Sequence, residues 1–452
     1  MTTQPIANPP ELPAYDHQPE PYNGPSFEEV REMRQTYLTP ALVTYYRNPI
    51  MVVEGSMQYL YDETGRRYLD AFGGIVTVSV GHCHPHVTEA AITQMRRLQH
   101  ATTIYLHPTI AEYGRMMVER LPGDLDTVYF VNSGSDANDL ALLMARLYTG
   151  NWDVVALRNG YHGGNQSAMG LTAHSTWKYN TPSGFGIHHI ANPDPYRGPW
   201  GREDPDAADK YAKDLTDHIQ FGTSGNLAAF FAESIQGVGG AVTFAPGYLR
   251  EAQKIIQAHG GVYIADEVQA GFARTGSHFW GFESEGVQPD IVTMAKGIGN
   301  GAPLACVATR REIAETLTSR VHFNTYGGNP VSCAMGKAVL DVIDTENVQQ
   351  NARARGDQFF AGMKKLEEKH MIVGDVRGRG LMLGIELVKD RVGKEPASAE
   401  CAQVFERCKE LGVLMGKGGL HGNTLRIKPP MCITEADMDF MLEVVDRALS
   451  EA

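Results

Sequence analysis

The 452-residue sequence has no apolar run approaching the roughly 20 residues that span a bilayer, so no transmembrane helix is expected. Cysteine is scarce: six thiols in a chain this long make no disulfide framework, and no pair stands at CxxC spacing. Reduced thiols in a cytosol-like compartment follow. Positive charge is in deficit, with 40 Lys and Arg against 53 Asp and Glu, a formal net charge of −13. Nucleic acid and anionic membranes, which favour a basic face, are therefore not expected partners. A GxGxxG fingerprint is missing, which counts against a Rossmann dehydrogenase. The first 25 residues lack both the apolar core of a signal peptide and any arginine, so no targeting signal is read there and a cytoplasmic location is expected. Metal ligation is not expected either. His82, His84 and His86 alternate in GHCHPHV, but Pro85 and the lack of a nearby carboxylate cluster favour a turn before a helix.

What is present reads as a globular enzyme. Hydrophobic residues make up 42% and charged residues 21%, enough for a large core. From Leu125 onward short apolar runs alternate with helical patterns: Val128–Val131, Val154–Leu157, Leu227–Ala232, Val262–Ala265 and Ile291–Met294. Each is too short for a helix and continuous rather than alternating, as in strands covered on both faces. The pattern predicts an α/β fold with a mainly parallel sheet in a large domain at 81–335. A smaller α+β domain is expected from 336–452, joined by the hairpin-bearing segment 26–80, with 1–25 as a flexible arm.

Each run ends in polar or glycine-rich chemistry. The ends carry Asn132-Ser133-Gly134-Ser135, Tyr161-His162-Gly163, Glu233, Asp266 and Lys296. Ligands of open α/β sheets bind beyond the carboxyl ends of the strands. A lysine followed by Gly297, Gly299 and Gly301 is, alone, most often a surface turn; the convergence of strand ends reverses that reading. An acid and a lysine past two buried strands are what a pyridine cofactor needs. Lys296 reads as its Schiff-base lysine and Asp266 as the partner of its ring nitrogen. Ser133, Gly134 and Ser135 open a helix whose first N–H groups suit a phosphate, or are a plain cap. Tyr161, beside His162, suits stacking on a flat ring, or plugs a loop. Thr325, in a glycine-rich turn before a helix, offers a hydroxyl to a phosphate, or is only a turn. Arg426, on an alternating strand, offers a planar fork to a carboxylate, or is solvated.

Together these stretches resemble the class III (omega-type) aminotransferases, which use pyridoxal 5'-phosphate on a fold-type-I scaffold, and within them the alanine–glyoxylate branch. The resemblance is carried by AFGGIVTVSVGHCHP (Ala71–Pro85), ESIQGVGG (Glu233–Gly240), IADEVQAGFARTGSHFWGF (Ile264–Phe282), PDIVTMAKGIGNG (Pro289–Gly301), FNTYGGNP (Phe323–Pro330), VGDVRGRGLMLGIE (Val373–Glu386) and MCIT (Met431–Thr434). It implies a seven-stranded sheet and a homodimer with shared active sites, or a tetramer. By resemblance Gly134 and Ser135 bind the phosphate, Tyr161 and Val268 cover the two ring faces, and Gln269 sits near the ring hydroxyl. Thr325 reaches the neighbouring subunit's phosphate, Arg426 takes the substrate carboxylate, and Glu233 pairs with Arg426 when that carboxylate is absent. The implied reaction moves an amino group from an amine, ω- or β-amino acid or alanine-like donor to a 2-oxo acid, glyoxylate or pyruvate. A decarboxylating aminotransferase or an aminomutase on the same scaffold is the alternative. Two departures stand out: Asp136 replaces the glutamate common in the class, and Ser175–Tyr179 lacks the arginine of the 4-aminobutyrate and ornithine types.

Overall fold

The structure, a computed structural model, describes residues 10–182 and 184–452. The first nine residues of the expected arm lie outside the described residues. From residue 10 the segment is laid on the strand that follows it: Tyr15 bonds Ser56 at 2.8 Å, His17 reaches Glu54 at 2.5 Å, and the Tyr15 ring lies 4.7 Å from that of Tyr59. Helix Phe27–Tyr37 is opened by Ser26, whose backbone N–H donates to Glu29 at 2.7 Å in a reciprocal capping box.

Strands β1 (Val52–Ser56), β2 (Tyr59–Asp62) and β3 (Arg67–Asp70) form an antiparallel meander, one strand more than a simple hairpin. The large sheet holds β4 (Thr127–Val131), β5 (Val154–Leu157), β6 (Ile187–Ile190), β7 (Ala229–Glu233), β8 (Val262–Asp266), β9 (Ile291–Met294) and β10 (Ala305–Thr309). Its seven strands run in the order β4-β10-β9-β8-β7-β5-β6. Only β10 runs against its neighbours, so β4, β5, β7, β8 and β9 all end on the same edge. Strands β5, β7, β8, β9 and β10 are buried throughout, as continuous apolar runs require when helices cover both faces. Helix Gly134–Thr149 packs across β8, β9 and β10, and helices Ala207–Gly222 and Tyr248–Ala258 pack on each other near β6 and β8.

The C-terminal part contributes β11 (Val373–Arg379), β12 (Met382–Leu387), β13 (Val413–Leu414), β14 (Gly416–Gly418) and β15 (Thr424–Ile427). Strand β3 pairs in parallel with β13, and Gln58 donates to Asp437 of the last helix at 2.8 Å, so the N-terminal meander is hydrogen-bonded into the C-terminal unit. The three alternating histidines face three different carboxylates, His82 on Asp70, His84 on Glu346 and His86 on Asp341. Among the described residues no helix is long and apolar enough to cross a membrane.

Candidate active site

Register places the chemistry in a row. Glu233 at the end of β7 stands opposite Asp266 at the end of β8, and Asp266 stands opposite Thr293 of β9. All three are buried. A cavity of about 370 Å³ opens beyond this row and is lined by Ser133, Gly134, Ser135, Tyr161, Asp266, Gln269 and Lys296, among others.

Asp266 is held by donors on both oxygens. One accepts from Asn138 Nδ2 at 2.9 Å and lies 2.8 Å from His162 Nδ1; the other accepts from the N–H of Val268 at 3.1 Å. Asn138 is fixed in turn, accepting from Thr293 at 2.6 Å and donating to the His162 carbonyl at 2.7 Å. Burial alone would lower the His162 pKa, but the hydrogen bond and charge of Asp266 outweigh it and raise it. A carboxylate so anchored is suited to a protonated pyridine nitrogen.

Lys296 follows β9 with φ at +52°, a left-handed backbone rare for a side chain of this length and the kind of strain that collects at functional sites. The backbone is clamped: Ser79 Oγ donates to the Gly297 carbonyl at 2.7 Å, and Asn300 accepts from the N–H groups of Ser79 and Val80 at 2.8 and 3.0 Å. Burial pushes the Lys296 pKa down, against the opposing charges of Asp266 and Glu233 and with the help of Arg426. A lysine with a lowered pKa is the nucleophilic amine that carbonyl chemistry needs.

Helix Gly134–Thr149 begins at the cavity. Ser133 caps it, accepting from the Asp136 N–H at 3.2 Å. Ser135 Oγ accepts from the Gly164 N–H at 3.1 Å, leaving its own hydrogen free to donate into the cavity. Two glycines keep the cradle open. A Cβ at Gly134 would stand 3.1 Å from Val268, and one at Gly163, whose φ is +133°, would stand 2.5 Å from Ser135 Oγ. Tyr161 meets Trp177 edge-on with ring centroids 5.1 Å apart. These features fit pyridoxal phosphate: the helix start would hold its phosphate, Tyr161 and Val268 would cover its ring, and Asp266 and Lys296 would meet its nitrogen and its aldehyde.

One expected placement differs. Glu233 and Arg426 form no ion pair. Glu233 accepts from the N–H groups of Tyr161 and Gly237 at 3.1 and 2.7 Å, while Arg426 donates to the carbonyls of Gly237 and Lys417 at 3.3 and 3.1 Å. The guanidinium also lies 5.2 Å from the centre of the Phe72 ring. Backbone donors hold the acid, while the two carbonyls take only part of the guanidinium and leave Arg426 Nε without a partner among the described residues. Thr325 is exposed and does not line the cavity of its own chain.

Asn138 and Lys428, both at or beside the site, carried no sequence-based assignment. Asn138 shares a buried helix face with Ala137, Leu140 and Ala141, and a polar residue on such a face is the signal that points to it. Lys428 lies between Ile427 and Pro429, where the alternating strand reads as half-solvated; it is fully buried.

Fold and site define a pyridoxal-phosphate-dependent enzyme of fold type I. Residues 43–449 match the family model for class-III aminotransferases. The chain is 54% identical over 440 residues to alanine–glyoxylate aminotransferase 2 homolog 2, mitochondrial, of Arabidopsis thaliana, covering 97% of this chain and 91% of the relative. It is 45% identical over 462 residues to the mitochondrial alanine–glyoxylate aminotransferase 2 of Homo sapiens, covering 98% and 90%. Among solved structures, the (S)-enantioselective omega-transaminase of Thermomicrobium roseum superposes with a TM-score of 0.88 at 33% identity, covering 95% of this chain and 99% of that one. The chain belongs to the class-III aminotransferases, and it is a pyridoxal-phosphate-dependent transaminase.

The cytoplasmic expectation is corrected here. Relatives matched over nearly the whole chain are mitochondrial proteins by name and point to that compartment instead. The free thiols do not discriminate, because free cysteines suit any reducing compartment.

Proposed function

We propose that the chain transfers an amino group from an alanine-like, β- or ω-amino acid to glyoxylate or pyruvate, with Arg426 receiving the substrate carboxylate. The observation that carries this reading is Arg426 itself. It is 5% exposed, and among the described residues it has no acid within ion-pair distance and its Nε has no partner. A buried guanidinium so placed lacks an anion and fits a bidentate carboxylate. The names of the relatives support the same substrate pair.

Pyridoxal phosphate, when bound, supplies the electron sink that stabilises charge left at the substrate Cα. The chain's own groups do the rest. Asp266, braced by Asn138 and His162, keeps a proton on the ring nitrogen. The Lys296 amine, poised by burial, takes the proton from Cα and returns it on the other side of the transfer. The first N–H groups of helix Gly134–Thr149 and Ser135 Oγ anchor the phosphate. Tyr161 and Val268 hold the ring flat, and Glu233, fixed by two amides, presents its charge beside the Tyr161 loop.

A homodimer or tetramer completes the site in this reading, with Thr325 serving the partner's phosphate. Support comes from an exposed apolar patch on two adjacent loops, Ile104, Tyr105 and Leu106 on one and Val321, Phe323 and Tyr326 on the other. Asn329 donates to the Gln99 carbonyl at 3.2 Å, which ties the two loops together.

A panel of donors (alanine, 3-aminoisobutyrate, β-alanine and amines without a carboxylate) against glyoxylate and pyruvate tests the assignment. Arg426→Lys is expected to raise KM for carboxylate-bearing donors by tenfold or more, about the 1.5–3 kcal/mol of a charge-assisted bond, and to leave simple amines little changed. Equal loss for both donor classes would refute the role of Arg426. Light scattering that gives a monomer mass for the active holoenzyme would refute the shared site.

A further inference from the structure

Lys428 lies just past β15, with 0% of its surface exposed. Its Nζ donates to the Gly237 carbonyl at 3.1 Å and to Gln269 Oε1 at 2.8 Å. No carboxylate among the described residues lies within ion-pair distance of it. Burial lowers its pKa well below a lysine's usual value; the charges of Arg426, Lys296 and Arg274 add to this, and only Glu233 opposes it. An aliphatic side chain would fill this position without the cost of burying an amine. What the amine touches accounts for its presence.

It touches a side chain held on two sides. The Gln269 amide packs against the Cα of Gly237, where an added Cβ would stand 2.3 Å from the amide carbon. Its oxygen is taken by Lys428, and no protein acceptor among the described residues takes its nitrogen. Gln269 lines the cavity that contains Asp266 and Lys296. An amide can present either end to a cavity, and the donor behind it decides which.

We propose that Lys428 is a positioning residue: it holds the carbonyl end of Gln269, so that the amide NH₂ faces the cavity as a fixed donor to the ring hydroxyl oxygen of bound pyridoxal phosphate. This rests on the reading of Gln269 as the residue beside that oxygen. A donor held there favours the ionised oxygen. Losing it makes that oxygen more basic, so the pH midpoint of the holoenzyme's visible absorption rises.

The experiment is a spectrophotometric pH titration, with cofactor affinity measured alongside, on reconstituted wild type, Gln269→Ala, Lys428→Met and the double variant. Lys428→Met and Gln269→Ala are each expected to raise the midpoint by about one unit, a tenfold change, and to weaken cofactor binding in step. The double variant is expected to shift no further than the larger single, because one residue acts through the other. A wild-type midpoint in Lys428→Met, or shifts that add in the double variant, overturns the proposal while the reading of Gln269 stands. A wild-type midpoint in Gln269→Ala overturns both. Should Lys428→Met not fold, Gly237→Ala breaks the same arrangement from its other face. An unshifted midpoint in that variant also overturns the proposal.

Discussion

His162 Nδ1 lies 2.8 Å from the oxygen of Asp266 that also accepts from Asn138, and both side chains of the pair are buried. A histidine whose folded pKa is raised above its unfolded value of 6.5 stabilises the protein fully below that pH, and the contribution fades as pH climbs through the raised value. His162→Gln removes it. The stability gap between wild type and His162→Gln, measured by denaturant unfolding of the cofactor-free protein, is expected to be about 3 kcal/mol near pH 6 and to narrow at alkaline pH. A gap that widens with pH would contradict this pairing.

Glu267, next to Asp266, does different work. It accepts from the N–H groups of Gly281 and Phe282 at 2.7 and 3.0 Å and from Ser234, so it fastens a loop rather than facing the cavity. Burial pushes its pKa up to about 7, against those donors, which pull it down. For a carboxyl raised in the fold, the associated stability is full below the unfolded value of 4.5 and is lost as pH rises through about 7. About 3 kcal/mol of stability is therefore expected to disappear between pH 4.5 and 7, a slope that Glu267→Gln flattens. An unchanged slope in the variant would assign the titration to another group.

Gly163 has φ of +133°, and a Cβ there would sit 2.5 Å from Ser135 Oγ. Gly163→Ala is expected to displace the hydroxyl from the cavity and to strain the backbone, with cofactor affinity falling tenfold or more, about the worth of one charge-assisted hydrogen bond to phosphate. Equilibrium dialysis of pyridoxal phosphate measures it. Unchanged affinity would mean that Ser135 does not serve the phosphate.

The fold was legible where strands are buried on both faces. The runs Val262–Ala265 and Ile291–Met294 match β8 and β9 closely, because helices cover both faces and no charged residue interrupts the run. Strand β6 was not legible, since His188 and His189 break its apolar run between Ile187 and Ile190. The direction of β10 was not legible either, because a single antiparallel strand in a parallel sheet leaves no periodicity of its own. At the site, residues at strand ends announced themselves through position. Asn138 and Lys428 did not, because their duty is to other side chains rather than to a ligand. The Glu233–Arg426 pair was expected from resemblance, and it is absent: two backbone N–H groups hold Glu233, and Arg426 turns to the carbonyls of Gly237 and Lys417.

The most direct test mixes the reconstituted holoenzyme with an amino donor and no acceptor. The visible absorption of the bound cofactor should change, and one equivalent of oxo product should appear per active site. Lys296→Ala should still retain pyridoxal phosphate at the Ser135 end of the cavity but lose the wild-type visible band, and should slow product release by at least about 10²–10⁴-fold. Reconstituted wild type with no visible band, or Lys296→Ala turning over at the wild-type rate, would contradict the assignment of Lys296.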